Sequence, residues 1–218
     1  GMAGIFPGAA GINAYWANIT AGVDAISTVP PNRIDSIYFA PTEHAGPEHL
    51  GTNRGGFVDA FATFDPTRFG VMPMAVPDAE PDQLIGLQVA ADAIDDAGGR
   101  DSLGNPERIG VIVGRGGYLN AGVARLDQKV RGAQQLASVL HQLAPELGGD
   151  RIDDIKRAFQ AAVGADHPDA TIGLVPNLAA SRISNRLDFQ GPAFTVDATC
   201  ASSLVAIDAA VKELRSGR

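Results

Sequence analysis

The chain has 218 residues, 45% of them hydrophobic and 19% charged, with a formal net charge of −8 and one cysteine. That is enough apolar material for a packed core, which excludes disordered, collagen-like and disulfide-scaffold classes. The acidity argues against a nucleic-acid surface and suits simple solubility, while a lone thiol fits a reducing cytoplasm.

Apolar runs such as IGVIVG stop short of membrane-spanning length, so no membrane segment is expected. The opening GMAGIFPG has no basic region ahead of an apolar one, so no secretion signal is expected either. Residues 13–21 place Tyr15, Trp16 and Ile19 at helical spacing, and Gly22 supplies a stop. From about Gly22 to Pro81 the sequence is rich in Pro, Gly, Asn and Asp and reads as a long loop packed on something larger. Residues 82–97 form an amphipathic helix with Leu84, Leu87, Ala91 and Ile94 on one face, ended by Gly98 and Gly99. The run 108–113 reads as a buried strand of parallel type.

A helix is expected from about Ala121 to Leu143, although Leu136 stands one step off its ideal face. Further helices are expected over Ile152 to Val163, using Ile155, Phe159 and Ala162, and over Asn177 to Leu187. PAFTV is a short strand, and 200–216 is an amphipathic helix ending at Gly217. Strands alternating with helices imply an α/β architecture.

Chemistry concentrates in one place, FTVDATCASSLVAIDAAVKELRSG. The strand Phe194 to Val196 enters a turn containing Asp197, then Cys200, then a long helix. Ala198, Ala201, Ser202 and Ser203 leave room for a backbone or ligand to approach. A cysteine at a helix start feels the positive end of the macrodipole, which favours the thiolate. The free N–H groups of the first turn would stabilise an oxyanion during acyl transfer. The plainer alternative is a buried structural cysteine at a strand–helix junction.

VDATCASSL resembles the active-site signature of the ketosynthases, the condensing enzymes of polyketide and fatty-acid synthases, with Thr199 in place of the usual alanine. VPNLAASRISNRLDFQGPAFTVDATC is similar to the family's approach to that cysteine. The opening GMAGIFPGA with YWANITAGVDAI, and the middle segment FDPTRFGVMP with EPDQLIGL, resemble its other motifs in order. The phrasing FGVMP with EPDQ looks most like iterative synthases of the polyunsaturated-fatty-acid type. The resemblance implies an α/β thiolase-like condensing-enzyme fold, a mixed sheet with helices on both faces. Residues 1–218 would be the N-terminal half of the domain, cut at both ends relative to the family.

It further implies an acyltransferase in which Cys200 takes an acyl chain from an acyl carrier protein. A malonyl thioester then condenses with it by decarboxylation. The domain itself would need no cofactor, the phosphopantetheine belonging to the carrier. Expected partners are that carrier, acyl and malonyl thioesters, the C-terminal half of the domain and a second copy in a cytoplasmic homodimer, with no nucleic acid and no membrane. The family's two catalytic histidines would lie in the C-terminal half, and His44, His49, His141 and His167 match neither. His44 and His49 are a poor metal pair, and no metal is expected.

Three rivals remain. A dinucleotide site fails on spacing, since Leu119 follows Gly114 and Gly116 where a third glycine belongs. A cysteine-dependent acyl hydrolase would need a histidine beside Cys200 in space. A non-catalytic half-domain used for dimerisation or docking is the third.

Overall fold

A computed structural model describes residues 1–39, 49–117, 121–165 and 168–217. The chain divides into two compact units, Gly1–Phe64 with Gln88–Ser102, and Asp65–Leu87 with Leu103–Arg218.

In the first unit, helix α1 (Ile12–Thr20) precedes a short antiparallel pair, β1 (Ser27–Thr28) and β2 (Arg54–Gly55), with Ser27 opposite Gly55. Phe6 stacks on Tyr15 with ring centroids 3.9 Å apart, and Asn18 Nδ2 donates to the Gly8 carbonyl at 3.0 Å. Those two contacts fold the opening loop back on α1. Arg33 pairs with Asp59 at 2.7 Å and lies over the Phe57 ring. The expected loop from Gly22 to Pro81 thus contains the β1–β2 pair and short 3₁₀ turns, and its residues 40–48 lie outside the described residues.

Helix α2 (Pro81–Asp96) begins on a proline, whose missing N–H costs nothing at a helix start. Leu84, Leu87 and Ala91 are buried, as their shared face requires. Gly98 and Gly99, both at positive φ, end it.

The second unit holds a parallel pair, β3 (Val111–Gly114) and β4 (Ala193–Val196), in the register Val111 with Ala193 through Gly114 with Val196. Among the described residues the strands therefore form two pairs, one parallel and one antiparallel. The expected helix 121–143 is interrupted: α3 (Ala121–Asp127) and α4 (Ala133–Leu143) are joined by a π-helical turn, Gln128–Gly132. A π turn inserts one residue into the helical repeat, and that places Leu136 and Leu140 with buried Ala133 and Ala137 on one face. Gln160 Nε2 donates to the Lys129 carbonyl inside this turn at 2.9 Å. Helix α5 (Gly149–Val163) packs on α4, and Ile152 is wholly buried, whereas Ala162 is exposed. A short α6 (Pro168–Gly173) was not expected from periodicity, being too brief to show one.

Helices α7 (Leu178–Arg186) and α8 (Ser202–Ser216) both pack on the β3–β4 pair. Buried Ala179 and Ala180 let α7 approach closely. In the parallel register the Pro192 and Val196 carbonyls accept from Val111 and Arg115, so Ala193 and Thr195 turn their polar groups to the other edge. Asn177, just before α7, occupies that edge. Its Oδ1 accepts the Thr195 N–H at 3.1 Å, and its Nδ2 donates to Ser181 Oγ at 2.8 Å and, at 3.5 Å, to the Ala193 carbonyl. One side-chain amide thus serves that edge of β4 as a neighbouring strand would.

Asn177→Ala is expected to speed hydrogen exchange of the Thr195 amide. Stranding that donor costs roughly 1–3 kcal/mol, or about ten- to hundredfold in local opening. Peptide-level exchange mass spectrometry over 190–197 checks this, and unchanged protection would refute the edge role.

Candidate active site

The strand β4 ends at Val196, and the chain must turn sharply to enter α8. Thr199 makes that turn with φ +51, a left-handed conformation that a β-branched residue rarely adopts. Such a residue persists only when its surroundings fix it. Here they do. Asp197 Oδ1 accepts the Thr199 N–H at 3.0 Å. Ser202 Oγ accepts the Ala198 N–H at 2.9 Å and donates to the Thr199 carbonyl at 2.7 Å. Thr199 Oγ1 donates to the Ala198 carbonyl at 2.8 Å.

Cys200 sits in the 3₁₀ turn Thr199–Ala201, two residues before α8 begins. It is exposed within residues 1–218, unlike the buried structural cysteine of the plainer alternative. The turn places Cys200 beside the start of a fifteen-residue helix.

Behind the turn lies the loop that follows β3. A Cβ on Gly114 would stand 2.6 Å from the Ser202 carbonyl oxygen, closer than any side chain tolerates. Only glycine lets the strand end approach α8 there. The Gly117 N–H donates to Asp197 Oδ2 at 2.6 Å, so one carboxylate bonds the turn and the loop together. The Asp197 carboxyl is held below the ordinary carboxylate value, first by the Thr199 N–H and then by the Gly117 N–H, against a smaller opposing effect of desolvation. Its stabilising contribution is therefore present above the ordinary carboxylate value and lost as pH falls through the lowered one.

The turn that carries Cys200 is thus built from Asp197, Thr199 and Ser202 and backed by Gly114 and Gly117. None of the hydrogen bonds described at the turn comes from a histidine. His141 is exposed on α4, and His49 belongs to the first unit; His44 and His167 lie outside the described residues. Among the described residues no group of three His, Cys, Asp or Glu is placed to hold a metal ion, and no helix is long and apolar enough to cross a membrane. Sequence reasoning weighed Gly114 and Gly116 only as a nucleotide loop and passed over Gly117. Its signal was the glycine-rich run at the end of a strand parallel to the one that leads to Cys200.

Residues 1–218 match the family described as beta-ketoacyl synthase, N-terminal domain, and the chain belongs to that family. It is 29% identical over its whole length to the polyketide synthase PksN of Bacillus subtilis strain 168, and 32% identical to a polyunsaturated fatty acid synthase of a Thraustochytrium species. It spans only 3% and 8% of those proteins. An oxazolomycin ketosynthase domain from Streptomyces albus JA3453 superposes on all of the chain with a TM-score of 0.72 at 26% identity, the chain covering 31% of it. The ketosynthase of module 6 of the bacillaene synthase of Bacillus subtilis 168 shares the fold, with a TM-score of 0.64 at 24% identity, and the chain covers 29% of it. The expected condensing-enzyme fold is therefore the one present.

Gly114→Ala is expected to force β3 and α8 apart. Overpacking of this kind costs roughly 1–3 kcal/mol, so the protein should melt earlier and its Cys200 should change in reactivity towards a thiol-alkylating reagent. A variant with unchanged melting and unchanged reactivity would contradict the close approach.

Proposed function

We propose that this chain is the N-terminal half of a ketosynthase domain and that Cys200 carries the growing acyl chain. The observation that carries the reading is the exposed thiol on a constrained strand-to-helix turn, in a chain of the beta-ketoacyl synthase family.

The Cys200 thiolate attacks the carbonyl carbon of an acyl thioester on the carrier's phosphopantetheine. A carbon–sulfur bond forms to Cys200, the bond to the carrier sulfur breaks, and the released carrier thiolate takes up the proton that Cys200 gave up. A malonyl thioester then loses carbon dioxide, and the electron pair left on its α-carbon attacks the Cys200 thioester. The new carbon–carbon bond yields a β-ketoacyl thioester on the carrier and returns the Cys200 thiolate. The groups that drive decarboxylation belong to the remainder of the domain in this proposal.

Helix α8 supports the half-domain reading. Its Ser202 and Ala206 are buried, while Leu204, Ile207, Val211 and Leu214 form an exposed stripe on another face. Of the residues that the half-domain reading leaves uncovered, Val205 and Val211 are exposed and Ala209 is half-buried, but Ala206 is buried within this chain. A helix apolar on two faces belongs in a larger core. A patch on the order of 400 Å², at roughly 25 cal/mol per Å², forfeits about 10 kcal/mol, comparable to the stability of a typical domain.

In the full-length protein, Cys200→Gln should abolish elongated product but leave carbon dioxide release from the malonyl thioester, because decarboxylation does not need the thiol. Loss of both activities in a folded variant would count against the division of labour. Residues 1–218 expressed alone should be aggregated or molten, with strong uptake of a hydrophobic dye on size-exclusion fractions. A monodisperse monomer with a cooperative melt would show that the chain needs no second half.

A further inference from the structure

The turn that carries Cys200 and the loop after β3 are separate in sequence and meet through one side chain. Asp197 spends one oxygen on the Thr199 N–H at 3.0 Å and the other on the Gly117 N–H at 2.6 Å. The loop is fixed from its far side as well. The Arg115 N–H donates to the Val196 carbonyl at 3.0 Å, and its guanidinium Nε donates to Asp82 at the start of α2. Gly117 has no room to spare, since a Cβ there would stand 3.0 Å from Asp197 Oδ2.

We infer that Asp197 is a positioning residue for acyl transfer, fixing the Cys200 thiol by bonding the backbone N–H groups of Thr199 and Gly117 at once. The inference rests on the reading of Cys200 as the acyl carrier. Without the carboxylate the Thr199 N–H loses its partner, and the strain of φ +51 in a β-branched residue is offset only by the Ser202 and Thr199 hydroxyl bonds to the turn. Relaxation of Thr199 to a negative φ would swing the following peptide and carry the sulfur with it. A misplacement of about 1 Å costs on the order of a hundredfold in rate, because the reacting atoms leave their near-attack geometry. An amide cannot replace the carboxylate: it offers one acceptor oxygen and turns an NH₂ donor against the second N–H.

The test uses the full-length protein as wild type, Asp197→Asn and Gly117→Ala, with formation of the Cys200 acyl adduct from an acyl-carrier thioester timed by peptide mass spectrometry. Gly117 is not at positive φ, and among the described residues the Asp197 carboxylate is what an alanine Cβ there would meet. Both variants should lower the maximal acylation rate at least about tenfold while the half-saturating thioester concentration stays within about twofold. A merely structural role would not produce that split between rate and saturation. If Asp197→Asn fails to fold, Gly117→Ala alone decides. Wild-type rates in the folded variants, or a change confined to saturation, overturn the positioning role and leave the acyl-carrier reading standing. Absence of any Cys200 adduct in the wild type overturns both, and is told apart by that control.

Discussion

At Gly114 the end of β3 lies against the first turn of α8 with no space for a methyl group. That close approach sets much of the geometry of the second unit. It fixes where α8 must begin relative to the strand pair, and the parallel register of β3 and β4 fixes where the chain leaves β4. Three residues then connect Val196 to the cysteine. So short a link has few conformations, and the one adopted puts Thr199 in a left-handed well that Asp197 and Ser202 hold in place. The thiol is thereby presented from regular elements rather than from a mobile loop, which favours precise chemistry.

The same region distributes side chains by size in an unusual way. Helix α8 buries its small residues, Ser202 and Ala206, against the strand pair, where small side chains permit close packing. Its larger ones, Leu204, Ile207 and Leu214, face outward. A surface helix would reverse that order, because larger side chains gain more from burial. The inversion makes sense when the larger side chains meet a second layer.

Much of this was legible in sequence because it is periodic or punctuated. The face of α2, the glycine stops at Gly98 and Gly217, and the strand-to-cysteine junction all derive from short-range rules. The resemblance around VDATCASSL placed Cys200 at its turn before any geometry was known. What was not legible depends on distance in space. The π turn at Gln128–Gly132 left only the displaced Leu136 as a trace. The edge role of Asn177 and the bridge from Asp197 to Gly117 join residues 18 and 80 positions apart, and no local pattern signals either. The strain at Thr199 was visible only as a substitution in a motif, without its cause.

The central claim is that Cys200 receives the acyl chain. Its most direct test is to incubate the full-length protein with an isotopically labelled acyl-carrier thioester, quench in acid and map the label by peptide mass spectrometry. The account predicts label on the peptide containing Cys200 and none after Cys200→Ala. Label on another residue, or label that persists in Cys200→Ala, would contradict it.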